Sequence, residues 1–114
     1  MNGHTVHAML DSGAGCSIID VGSLERIGMK DCIARGNNVL INASGHHMDI
    51  LGIVKIPTRI GNAKLIVHEF KVLNLRTYSN ILIGRDYMQL FERITFDFNR
   101  NSVRLGNNSI KCVT

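Results

Sequence analysis

The stretch Met9-Leu10-Asp11-Ser12-Gly13-Ala14-Gly15-Cys16-Ser17-Ile18-Ile19-Asp20 constrains this chain more than any other. An apolar approach, one carboxylate, a run of very small residues and an apolar departure follow without a break. Val6, Ala8 and Leu10 alternate with His7, Met9 and Asp11, so an extended backbone places Met9 and Asp11 on one face. Ser12-Gly13 ends the strand, because Gly takes the positive φ of a tight turn and lets other backbone approach closely. Asp11 therefore stands at a strand's end among accessible amides. Two uses fit that placement. The side chain can cap the turn by accepting from the amide two residues on, or it can present a carboxylate for chemistry.

A chain of 114 residues is a single domain, residues 1–114, and is short for burying a deep two-walled cleft by itself. Its apolar share of 45%, without Trp and rich in Val, Ile and Leu, suits a β-rich globular fold. One Pro and no low-complexity tract argue against disorder. The net charge of +4 is spread along the chain, and aromatics make up only 5%. A nucleic-acid module concentrates its charge and carries stacking rings, so no nucleic-acid partner is expected of this domain. Cys16, Cys32 and Cys112 lack CxxC spacing, which excludes a full disulfide framework and a zinc knuckle and favours a reducing compartment. No signal peptide, transmembrane run or lipidation motif is visible, so a membrane partner is not expected. The expected setting is intracellular and cytoplasmic, with the segment cut from a longer polyprotein. His4, His7 and His68 share no ligand spacing, so no metal site is expected. Gly13-Ala14-Gly15 lacks the Lys-Ser/Thr of a phosphate loop.

Along the rest of the chain, residues 17–21 read as a second short strand, and 23–28 as one helical turn with Ser23 as N-cap and Gly28 as stop. Residues 36–45 and 46–56 read as a hairpin with Gly45 near its tip. Residues 65–73 form a strand with Ile66, His68, Phe70 and Val72 opposing Leu65, Val67, Glu69 and Lys71. Ile81-Leu82-Ile83-Gly84 is an apolar run halted by Gly, the pattern of a buried strand. Residues 85–91 turn into a helix, 95–98 and 102–105 form a second hairpin, and 110–113 alternate once more. Seven or eight short strands with two helical turns make an all-β class, barrel-like or sandwich.

Three features now stand in order: a strand into Asp11-Ser12-Gly13-Ala14, a glycine-tipped hairpin, and Ile81-Leu82-Ile83-Gly84-Arg85-Asp86 entering a helix. In this the chain resembles the retroviral-type aspartic proteases, or retropepsins, and especially those of long-terminal-repeat retrotransposons and domesticated retroelements. The resemblance spans nearly the whole chain. It implies a small closed barrel-like acid-protease fold with a flap hairpin and one short C-terminal helix, active as a homodimer and free of cofactors and metal.

By the same resemblance Asp11 is the catalytic residue. Ser12, Gly13 and Ala14 support its loop, with Ser12 bonding across the twofold. Met9, Cys16, Ile18 and Leu82 line subsites, Gly15 exposes backbone to substrate, and Ala43, Ser44, Gly45 and His46 form the flap. Hydrolysis by aspartates needs two neighbouring carboxyls that share one proton. Asp20, Asp31, Asp49, Asp86 and Asp97 all lack the Ser/Thr-Gly neighbourhood, so the second carboxyl is expected from a second copy of Asp11. The expected partners are the chain itself and a peptide or polyprotein substrate of the Gag-Pol kind. Gly15 departs from the family, whose retroviral members carry an acid there, and leaves Arg85 without the expected ion-pair partner. The alternative class is a catalytically silent dimerisation or binding module of a domesticated retroelement protein.

Overall fold

The computed structural model describes residues 1–34, 39–41, 47–74 and 81–112. The alternation of residues 65–73 is realised in the longest of the described strands, and the order of elements around it follows the sequence pattern closely. Strands β1 (Met9–Leu10) and β2 (Ile18–Asp20) precede helix α1 (Val21–Arg26) and a short 3-10 turn at Lys30–Cys32. Strands β3 (Val39–Ile41), β4 (His47–Asp49), β5 (Gly52–Thr58), β6 (Ile66–Leu73) and β7 (Ile81–Ile83) lead to helix α2 (Arg85–Met88). Strands β8 (Ile94–Asp97), β9 (Ser102–Leu105) and β10 (Asn108–Lys111) follow.

Five strands pair in the order β1-β7-β2-β6-β5, three in the order β10-β9-β8, and β3 pairs with β4. β7 lies between β1, which it joins in parallel with Met9 opposite Leu82, and β2, which it joins antiparallel with Ile18 opposite Leu82. It thus separates the two arms of the Asp11 stretch. β5 and β6 form the longest antiparallel ladder, from Gly52 opposite Val72 to Thr58 opposite Ile66.

Strand alternation sorts the five-stranded sheet into two faces. Ile19, Val54, Ile56, Phe70, Val72 and Ile83 turn inward into a core that Leu24, Ile27 and Tyr87 close from the helices. Met9, Leu82, Ile18 and Lys71 make one cross-strand row on the opposite face. A second, smaller core sits under β8 to β10, built on Ala63, Val103 and Leu105.

Some local expectations need correction. β1 is only two residues long because residues 4–8 have no strand partner in the described sheet. Helix α1 starts earlier than Ser23: Asp20 is its N-cap, accepting from Gly22 N–H at 3.0 Å. Ser23 is instead buried within the helix and accepts from Arg26 Nη2 at 2.9 Å. Gly28 does terminate it, with φ +76. Residues 46–56 are two strands, since β4 pairs with β3 whereas β5 pairs with β6. Helix α2 ends at Met88, three residues before the expected stop.

Candidate active site

Asp11 follows directly on edge strand β1, and its N–H donates to Ile83 O at 2.9 Å, adding one rung to the β1–β7 pairing. Its carboxylate Oδ1 accepts from Gly13 N–H at 3.0 Å, the turn-capping bond expected of Asp before Ser-Gly. Ala14 N–H returns to Asp11 O at 3.1 Å and closes the turn. Capping and display therefore coexist, because one oxygen orients the side chain while the residue stays half-buried.

Gly84 locks the far side of this loop. A Cβ there would lie 2.6 Å from Cys16 O, 2.7 Å from Cys16 C and 2.9 Å from Ala14 O, all backbone atoms. Only glycine admits so close an approach of two backbones. The next residue continues the seam, with Arg85 N–H donating to Ala14 O at 2.8 Å. The Arg85 guanidinium lies beside Gly15, 3.9 Å from where a Cβ would stand. Among the described residues no carboxylate forms an ion pair with Arg85.

The expected subsite residues fall into two groups. Cys16 and Leu82 pack with buried Ile18 on Ile50 and Leu73. Met9, in register with Leu82, is 50% exposed. Ser12, Gly13 and Gly15 are exposed on the loop. Ala43, Ser44, Gly45 and His46 lie outside the described residues. Ile50 and Leu73 were not singled out in the sequence, because each looks like an ordinary strand-end apolar residue.

Cys16 is not an activated thiol. Burial pushes it above the ordinary thiol range; Lys71 opposes and Asp86 adds to the rise, which leaves little thiolate at neutral pH. No helix among the described residues is long and apolar enough to cross a membrane.

Asp86, which sequence reasoning set aside, is densely bonded. Its Oδ1 accepts from Ser17 Oγ at 2.7 Å and Tyr87 N–H at 2.8 Å. Its Oδ2 accepts from Ser17 N–H at 3.1 Å and meets His68 Nε2 at 3.0 Å. Burial alone would raise the Asp86 pKa, but the bonds from Ser17 and His68 outweigh it and hold the carboxyl below its usual range. Ser17 Oγ in turn accepts from Gly84 N–H at 3.0 Å. Asp86 is thus committed to joining α2, β6 and the end of the Asp11 loop. The one sequence signal was His68 itself, a polar residue on the inward face of β6 between Ile66 and Phe70.

The family profile described as "gag-polyprotein putative aspartyl protease" matches residues 1–90. Among solved structures, the retroviral protease-like domain of Ddi1 from Leishmania major superposes with a TM-score of 0.75 at 22% identity, covering 99% of this chain and 88% of that one. At that identity the likeness is one of fold. No curated protein sequence matches.

Proposed function

Because the chain belongs to the gag-polyprotein aspartyl protease family and has the retropepsin-like fold, we propose that it is an aspartic endopeptidase. Its site would be completed by a second copy of itself, with a polyprotein of the Gag-Pol kind as substrate. One observation carries the reading: the chain holds a single carboxylate of the required kind, Asp11, oriented by Gly13 N–H and half-buried at the end of an edge strand. Asp86, the carboxylate nearest in connectivity, is occupied by four partners and is spent on structure.

An open groove of about 1030 Å³ has Val6, Leu10, Phe96 and Ile110 among its walls and lies on the face of β1 opposite Met9 and Asp11. Its apolar walls suit a surface that a second copy covers, away from the carboxylate itself.

In the proposed dimer the two Asp11 carboxyls share one proton, since like charges so close cannot both ionise. The ionised carboxylate takes a proton from a water as the water oxygen bonds to the scissile carbonyl carbon, while the protonated mate donates to the carbonyl oxygen. The tetrahedral diol then collapses. The C–N bond breaks, the nitrogen takes up a proton, and acid and amine products leave with the shared proton restored. An extended substrate would lie along the Met9–Leu82–Ile18 row by strand-like main-chain bonding.

The deciding experiment is incubation with a peptide library between about pH 4 and pH 7, with and without pepstatin, beside Asp11→Asn. Pepstatin-sensitive cleavage lost in Asp11→Asn supports the enzyme. A folded dimer without cleavage is the outcome that favours a silent dimerisation module.

A further inference from the structure

We propose that His68 is a positioning residue for the Asp11 loop, acting through Asp86 and Ser17. The inference rests on the protease reading for its effect on turnover and on geometry for its effect on the loop.

The path begins with a ring held in one orientation. His68 meets Phe70 edge-on at 5.5 Å between centroids and Tyr87 edge-on at 5.1 Å, and its side chain is 12% exposed. Rings so packed do not re-aim freely. Nε2 must be the protonated nitrogen, because an ionised carboxylate only accepts and Asp86 Oδ2 stands 3.0 Å away. A carboxylate offers about four lone-pair sites. Here His68, Tyr87 N–H and the two Ser17 donors fill them.

Ser17 transmits the constraint. A hydroxyl has one proton, and here it goes to Asp86 Oδ1, so the oxygen is free to accept Gly84 N–H at 3.0 Å. Gly84 sits against the Ala14 and Cys16 carbonyls, Arg85 N–H holds Ala14 O, and Ala14 N–H holds Asp11 O. Every step from the imidazole to the Asp11 backbone is a directional bond or a backbone contact with no slack. Without the His68 donor, Asp86 Oδ2 keeps only Ser17 N–H, and the carboxylate loses one of the four bonds that fix its orientation. His68 touches no reacting atom, and its effect is to keep the loop in register.

His68→Leu removes the donor at similar volume, and His68→Gln returns an N–H at similar reach. Turnover on a cleaved peptide and amide hydrogen exchange should be measured on the full chain. In His68→Leu we expect kcat to fall roughly tenfold or more with KM changed less than about twofold. Exchange should speed up at Asp11, Ala14 and Gly84 but not at Val54 and Val72 in the β5–β6 ladder. His68→Gln should restore most of both. Unchanged exchange at Ala14 and Gly84 in His68→Leu overturns the proposal whether or not the protein cleaves peptides, and so does failure of His68→Gln to rescue. Absent wild-type cleavage would sink the protease reading alone, since the exchange pattern still decides the role of His68. Should His68→Leu not fold, Ser17→Ala cuts the same path one bond later, and wild-type exchange at Ala14 in it overturns the proposal equally.

Discussion

Asp86 shows how a single carboxylate can be required in its charged form without taking part in chemistry. An amide in its place has one accepting oxygen and one donating nitrogen. Put the nitrogen where Oδ1 stands and it faces Tyr87 N–H; put it where Oδ2 stands and it faces Ser17 N–H. Either way a backbone donor loses its acceptor, so Asp86→Asn should destabilise the fold by about 1–3 kcal/mol, checked by urea unfolding at neutral pH. The pH dependence follows from the direction of the shift. The folded carboxyl titrates below its unfolded value, so its stabilisation is fully present above the unfolded pKa and disappears as pH falls through the lowered folded pKa. Wild type and Asp86→Asn should therefore differ most in melting temperature near neutral pH and converge in strong acid. A gap that widened on acidification would contradict the assignment. The Asp86 carboxyl beside the Asp11 loop thus stays ionised to lower pH than an ordinary aspartate.

Between elements, the decisive contact is the seam of β7 and α2 against the loop. Gly84→Ala places a methyl against three backbone atoms of Ala14 and Cys16 at 2.6 to 2.9 Å, and backbone cannot yield as a side-chain tip does. We expect a loss of about 1–3 kcal/mol, read by thermal unfolding, together with loss of cleavage. A variant of unchanged stability would mean that the two backbones do not meet. The Asp11 loop and the β6 faces were legible in the sequence because each rests on a local pattern: small residues after a strand, and strict alternation. The start of α1 was not, because Asp20 and Ser23 are both good caps and the helix follows β2 with no linker to separate them. Nor was the Asp86 network. His68, Ser17 and Asp86 are far apart along the chain, and only the pairing of β2 with both β6 and β7 brings them together. His68 on an apolar face was a visible anomaly whose partner sequence alone could not supply.

For the molecule as a whole, the proposed sharing of the site between two copies implies concentration dependence. Specific activity should fall on dilution through the dimer dissociation constant, and sedimentation over the same range should show the matching loss of dimer. Concentration-independent turnover by a monomer would refute the shared site. Phe96 and Phe98, stacked at 6.4 Å and 41% and 89% exposed, remain uncovered in a single chain, and Phe96 walls the groove. The threading of β7 between β1 and β2 also sets a schedule. Asp11 is made first, and the strand that seats it, Ile81–Ile83, and the helix that anchors it, Arg85–Met88, follow about seventy residues later. Contacts of such long sequence separation form late. A nascent chain halted before Ile81 would carry the aspartate but no seated loop, so the proposed hydrolase would stay inert until the β7–α2 stretch had been made.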